Sequence, residues 1–176
     1  EIGRLKSRIV ALGNLVQSRV ANAIQSFKER DAMLAREVIE GDRKIDRLEV
    51  DAEEECLKIL ALYHPVAIDL RFIVAVLKMN NDLERIGDLA ANIARRTEML
   101  CSCEKAILPP QLDAVAEKVQ WMLRESLGSL IYMKAATAHA VMTADAEVDE
   151  LHRKVYHWTA STLKESPETT DATLLG

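Results

Sequence analysis

Two rows of acidic side chains in this sequence have the spacing of a metal site. Glu84 and Asp88 are four residues apart, so on a helix they lie one turn apart on the same face. The other row comprises Asp42, Asp46, Glu49 and Glu53, which on a helix fall within about 60° of one another. Carboxylates held together repel one another unless water, protons, basic side chains or cations lie between them. Hard cations, iron and manganese are the natural partners of an oxygen-only cluster.

The two rows come together if the helices that carry them form a hairpin. A helix is expected to end at His64, because the residue before a proline disfavours the helical region. In an antiparallel pair that turns there, positions whose numbers sum to about 130 lie at the same height. The level pairs are Asp42 with Asp88, Asp46 with Glu84, and Glu49 with Asn81. We therefore predict a metal site at Asp42, Asp46, Glu84 and Asp88, with Asn81 and Glu49 as possible additional ligands.

A simpler interpretation of the acidic rows stays open. Acidic residues on helices are usually a solvated face, and Asp42 could serve only as an N-cap. In that case the protein would be a plain helical scaffold that binds no metal.

The elements that must position these residues are predicted to be helices almost throughout, since only six Gly and four Pro occur in 176 residues. From Ile2 the apolar residues recur every three or four positions, which predicts a helix of roughly 35 residues that ends near Gly41. A second helix should then run to His64, and a third from about Val66 to Leu100. Together they make a three-helix bundle.

The sequence repeats itself after this bundle. The segment 40–48 matches 143–151 at an offset of 103 residues, which implies two copies of one three-helix unit. We expect a first unit over residues 1–100, a linker over 101–110 and a second unit over 111–176, whose first helix spans about 111–142 and whose third helix is missing. Asp145 and Asp149 are possible additional metal ligands there. Partners for them would be expected at about 185 and 189, so that site should be open or absent unless a partner chain completes it.

The segments from His64 to Ile73 and from Leu77 to Ala94 resemble the third helix of a repeat in the PhoU family. The resemblance covers nearly the whole chain. It implies an all-α fold of two tandem three-helix bundles, the second incomplete here. It also implies that the family's acidic motif, two acidic residues separated by three others, holds multinuclear iron or other cations, and this motif is Glu84 to Asp88. Manganese, zinc and magnesium are further candidate ions.

The function that the resemblance implies is negative regulation of phosphate uptake and of phosphate-starvation signalling. The protein would be a non-enzymatic, cytoplasmic adaptor between the ATPase of a phosphate ABC transporter and a sensor histidine kinase. The alternative is a di-iron or di-manganese carboxylate enzyme, which needs His ligands inside the bundle. His139, His152 and His157 are instead predicted to lie away from the acidic rows.

Other functional classes have little support in the sequence. The formal charge of −5 argues against nucleic-acid binding, and no apolar run approaches the length of a membrane-spanning helix. No Ser-His-Asp order or phosphate-binding Gly-rich loop occurs, so no catalytic residue is assigned. Cys56, Cys101 and Cys103 are expected to be free thiols.

A homodimer is expected from the incomplete second unit, which should leave apolar side chains exposed. These are Leu123, Leu127, Leu130, Val155 and Leu163.

Overall fold

The computed structural model describes residues 1–103 and 107–165, except for the side chains of Asp42 and Arg43. This part of the chain is all-helical, as predicted. The helices are α1 (Ile2–Glu29), α2 (Ala32–Glu40), α3 (Asp42–Tyr63), α4 (Ala67–Cys101), α5 (Leu112–Ile131) and α6 (Ala135–Glu165). The expected linker over 101–110 and the expected second unit over 111–176 therefore lie partly outside the described residues, at 104–106 and 166–176.

The first unit is a three-helix bundle of α1, α4 and an arm that α2 and α3 form together. Its core consists of the apolar positions that the three- and four-residue spacing predicted, including Leu5, Ile9, Leu12, Val16, Ile73 and Val76, all fully buried. The α3–α4 hairpin turns at His64, as the proline rule predicted. His64 and Ala67 both have positive φ, at 46° and 48°, so the chain reverses within three residues.

The predicted helix end near Gly41 is confirmed, but the prediction of one uninterrupted helix before it was wrong. The helix breaks at Arg30, which adopts the left-handed conformation with φ 54°. The Arg30 guanidinium donates to the carbonyl of Leu100 over 2.8 Å and also to that of Cys103. Asp31 then caps α2 by accepting hydrogen bonds from the backbone N–H groups of residues 33 and 34. Gly41 interrupts the helix for one residue only, at a φ of −69° that any residue can adopt.

The predicted helix over 111–142 was also wrong, because α5 ends at Ile131. Met133 takes the left-handed conformation with φ 53°, and the N–H of Lys134 bonds back to the carbonyl of Ser129 at 2.9 Å. This pattern closes a helix end. α6 then continues without interruption past Ala144, which is buried at the position equivalent to Gly41.

α5 packs on α1 of the first unit through a close approach at Gly13. A Cβ on Gly13 would lie 2.5 Å from Cδ1 of Leu127, so only glycine leaves room for this side chain. Leu123 and Leu127 are 8% and 7% exposed. The expectation that both leucines are exposed was therefore wrong, since both belong to the buried core and Leu127 packs on α1 at Gly13. Lys28 also pairs with Asp113 across the same junction.

Candidate metal centre

The register of the α3–α4 hairpin agrees with the prediction to within two residues. The side-chain amide of Asn80 donates to the backbone carbonyl of Glu49 at 3.0 Å and to Glu49 Oε1 at 3.1 Å. A Cβ on Gly87 would lie 3.1 Å from Cδ1 of Ile45, so the two helices lie close together in this region. Glu49 was expected to face Asn81, and it instead meets the neighbouring Asn80.

The ligands predicted in the first unit all lie on α3 and α4, along the half of the hairpin farther from its turn. Asp46, Asn81 and Asp88 are exposed, whereas Glu49 and Glu84 are half-buried. The backbone of Asp42 begins α3, but its side chain lies outside the described residues.

The carboxylates on α3 act on one another electrostatically. The pKa of Glu49 is raised above its ordinary value, first by partial burial and then by the nearby charges of Glu53 and Asp46. Such a raised pKa means that the ionised cluster is unfavourable as it stands. A cation bound among these oxygens would remove the repulsion.

The donor chemistry suits a hard cation, but the described side chains do not converge on one point. Among the described side chains, which do not include that of Asp42, no three His, Cys, Asp or Glu lie close enough together to hold a metal ion. One buried oxygen is available, since Asn80 Oδ1 has no hydrogen-bond partner among the described atoms. An ion at this site would require the exposed carboxylates of Asp46 and Asp88 to turn toward it.

The second unit presents its two predicted ligands differently. Asp145 and Asp149 are exposed on α6, as is His152. In the part of the chain that the structure describes, α6 packs on α5 and no further helix of this unit brings carboxylates level with them. These two aspartates therefore do not form a site by themselves.

Asn80 is the important residue of this region that the sequence argument missed. It is 1% exposed and lies in the buried stripe that includes Ile73, Val76 and Leu83. A single amide in an apolar stripe is a recognisable signal, because a buried polar group needs a partner. The same reasoning identifies Glu55, which is buried on α3 and pairs with Arg4 at 3.1 Å and Arg8 at 3.8 Å.

The cysteines are free, as predicted. Cys56 is buried in the core, and burial raises the pKa of its thiol to about 11. The sulfur of Cys101 lies 3.2 Å from the carbonyl oxygen of Arg30, at the α1–α2 break.

Comparison with known proteins supplies the family. A family model described as the PhoU domain matches residues 9–97 and 112–175. A phosphate-specific transport system accessory protein PhoU homolog of Aquifex aeolicus is 38% identical over 157 residues, which are 88% of this chain and 70% of that protein. A homolog of the same name from Caulobacter vibrioides is 31% identical over 173 residues, 98% of this chain and 75% of that protein.

Solved structures give the same result. The crystal structure of PhoU from Pseudomonas aeruginosa matches with a TM-score of 0.94 at 31% identity, over 99% of this chain and 84% of that one. That of the phosphate transport system regulatory protein PhoU from Streptococcus pneumoniae matches with a TM-score of 0.89 at 25% identity, over 100% and 85%. Sequence and structure agree along both units, and the chain therefore belongs to the PhoU family.

Proposed function

We propose that this protein is a non-catalytic regulator that restrains phosphate uptake and phosphate-starvation signalling. The observation that carries the proposal is the match to relatives named phosphate-specific transport system accessory proteins, which extends over 88% and 98% of this chain. The proposed partners are the ATPase of a phosphate ABC transporter and a sensor histidine kinase, both met in the cytoplasm. In the described residues no helix has the length and apolar character needed to cross a membrane.

The proposed cofactor is a metal cluster of iron, manganese, zinc or magnesium on the α3–α4 hairpin. Asp46, Glu84 and Asp88 would hold it together with Asp42. The hydrogen bonds between Asn80 and Glu49 support this assignment, because they bring the two acidic rows level. The ion would neutralise the carboxylates and thereby fasten α3 to α4.

A carboxylate-bridged enzyme has less support than the regulator. Three of the four histidines, His139, His152 and His157, lie on α6, and the fourth, His64, lies at the hairpin turn. The acidic rows are on α3 and α4. Within the described residues no mixed carboxylate and histidine cluster forms.

We also propose a homodimer, but the apolar surface available for its interface is smaller than the sequence predicted. Leu123 and Leu127 are buried, while Leu130, Val155 and Leu163 are half-buried. Sedimentation of the purified protein over a range of concentrations would measure its oligomeric state.

Complementation tests the regulatory role. The gene is expressed in a bacterium that lacks its own PhoU and carries a phosphate-starvation reporter, and the reporter is measured in phosphate-rich medium. We expect the chain to lower the reporter signal, and a variant with Glu84→Gln and Asp88→Asn to do so less well at equal protein level. An unchanged reporter signal with stable, folded protein would contradict the proposed regulation.

A further inference from the structure

Cys101 and Cys103 lie at the C-terminal end of α4, where Arg30 holds the break between α1 and α2. The thiol of Cys101 donates to the backbone carbonyl of Arg30 over 3.2 Å. The Arg30 guanidinium in turn donates to the carbonyls of Leu100 and Cys103. Both cysteines are half-buried. The two cysteines are therefore part of the contact that fixes this helix break.

Cys103 also belongs to the small apolar cluster between the two units. It packs with Leu108 and Leu112 against the buried side chains of Phe27 and Leu100. Leu112 is the first residue of α5, so this cluster joins the end of the first unit to the start of the second. A shift of Cys103 would therefore be felt at the α1–α2 break and at the connection between the units.

The two cysteines can form a disulfide only if the last turn of α4 unwinds. Ser102 between them has φ −83° and ψ −10°, and the N–H of Cys103 bonds to the carbonyl of Leu100 at 3.1 Å. In such a helical turn, Cα atoms two residues apart are about 5.4 Å from each other, a separation that a disulfide can span. The two side chains, however, point about 200° apart around the helix axis.

Unwinding this turn breaks the contacts of Arg30. The carbonyl of Cys103 moves away from the guanidinium, and the thiol of Cys101 leaves the carbonyl of Arg30. The disulfide and the Arg30 contacts therefore exclude each other. Because such coupling is reciprocal, the Arg30 contacts oppose the disulfide by as much as the disulfide weakens them.

We propose that Cys101 and Cys103 are a site of thiol–disulfide exchange, at which low-molecular-weight disulfides such as oxidised glutathione convert the pair into an intramolecular disulfide and release Arg30. The thiolate of one cysteine attacks a sulfur of oxidised glutathione, which gives a mixed disulfide and expels one glutathione thiolate. The thiolate of the other cysteine attacks the protein sulfur of that mixed disulfide, forms the Cys101–Cys103 bond and expels the second glutathione thiolate. The two cysteine protons pass to the two glutathione thiolates. The pair is thus oxidised by two electrons, and the glutathione disulfide is reduced.

Cys56 takes no part in this chemistry. Its side chain is 1% exposed in the core, and burial raises the pKa of its thiol to about 11. Because the thiolate is the nucleophile, a buried thiol that stays protonated does not exchange. Cys56 is therefore an internal control within the same chain.

The test measures the thiol state of the full chain after equilibration with reduced and oxidised glutathione. Free thiols are trapped with iodoacetamide under denaturing conditions, and tryptic peptides are measured by mass spectrometry. The peptide 97–105 contains both Cys101 and Cys103, whereas Cys56 lies in the peptide 48–58. We expect the first peptide to lose two hydrogen atoms and to escape alkylation, while Cys56 stays reduced. The inference goes beyond phosphate regulation and depends on neither a metal nor a partner protein.

A pair of arginine variants tests the coupling to the helix break. Arg30→Met removes the contacts that oppose the disulfide, so the equilibrium constant for oxidation should rise about fivefold or more. The matched control is Arg36→Met, because Arg36 on α2 also bonds to α4, at Glu98 over 3.1 Å. This control should leave the equilibrium unchanged. Oxidation should lower the melting temperature of the unaltered chain, and that of Arg30→Met by less.

Three results would overturn the proposal. The pair stays reduced, or forms only mixed disulfides with glutathione or bridges to a second chain; oxidation leaves the melting temperature of the unaltered chain unchanged or raises it; or Arg36→Met shifts the equilibrium as much as Arg30→Met. The first two results are measured on the unaltered chain. They decide the question even if Arg30→Met does not fold.

Discussion

The two units of this protein share one helix break and differ at the next. Arg30 and Met133 have φ of 54° and 53°, and they are separated by the same 103 residues as the repeated segments. Eleven residues after each break the units diverge, because Gly41 separates α2 from α3 whereas Ala144 lies inside α6. In the first unit α2 and α3 are therefore separate helices, whereas in the second unit their counterparts form the single helix α6.

This difference bears directly on where chemistry can occur. In the first unit the hairpin brings the acidic row of α3 beside that of α4, as the Asn80 to Glu49 bonds demonstrate. In the second unit Asp145 and Asp149 lie on the exposed side of α6. Similar carboxylate spacing thus has different consequences, because among the described residues only the first unit has a third helix that carries a second acidic row.

The largest effect expected from this comparison concerns the two cores. Leu83 is 1% exposed in the first unit, and Leu151 is half-buried in the second. Leu83→Ala should lower the free energy of unfolding by about 2–5 kcal/mol through a cavity in the core. Leu151→Ala should cost clearly less, and denaturation in urea measures both. Equal losses would mean that the second unit has a core as well packed as that of the first.

The junction between the units can be tested at Gly13. Gly13→Val would place atoms against Leu127, so we expect a loss of about 1–3 kcal/mol from overpacking. Adding Leu127→Ala should recover part of that loss by making room. The control is Gly128→Val, because a Cβ there meets nothing within 4 Å. If both glycine variants had the same stability, α5 would not pack on α1 as described.

The two helix breaks are held differently. Arg30 bonds through its side chain to the carbonyls of Leu100 and Cys103, a contact that a methionine cannot make. Arg30→Met should therefore destabilise the protein by about 1–3 kcal/mol. Met133→Ala, at the equivalent break, should have little effect since Met133 is exposed. Thermal melting of the two variants measures both effects. A lower melting temperature for Arg30→Met alone would show that only the first break depends on a side-chain contact.

The smallest expected effect comes from charge repulsion in the acidic row. In metal-free protein Glu49→Gln should stabilise the fold at neutral pH by roughly 0.2–0.5 kcal/mol for each like-charge pair removed. The pKa of Glu49 is raised in the folded state, so its ionisation costs stability as pH rises from 4.5 through the folded pKa. That part of the pH dependence should be absent from the variant. A destabilised variant would show that the hydrogen bond from Asn80 requires the charge.

Helix type and the hairpin were predictable because both depend on local patterns. Apolar residues at three- and four-residue spacing gave the buried faces of α1 and α4, and His64 before proline gave the turn. The register followed from the turn by counting, to within two residues.

The breaks in the long helices were not predictable in the same way. Arg30 is held by the carbonyls of residues 70 and 73 positions away, and no local pattern contains that contact. Gly41 was a plausible helix end from its residue type, yet its φ is −69°. The burial of Leu127 likewise depends on Gly13, which is far away in sequence.

The placement of the two acidic rows on neighbouring antiparallel helices was predictable, but the contacts between them were not. Counting from the turn placed Glu49 opposite Asn81, but Glu49 bonds to Asn80. Asn80 is buried because it lies on the same face of α4 as Ile73 and Leu83, and the rotation of that face toward the core is a property of the packed bundle. Convergence of the carboxylates is decided by side-chain rotation, which residue spacing does not specify.

The most direct test of the central claim is the metal content of the purified protein, measured by mass spectrometry without added chelator. Three proteins are compared: the unaltered chain, Glu84→Gln with Asp88→Asn, and Asp145→Asn with Asp149→Asn as the matched change in the second unit. The account predicts stoichiometric metal in the unaltered chain that is lost in the first variant and kept in the second. Metal that is absent from all three, or that is retained by the first variant, would contradict it.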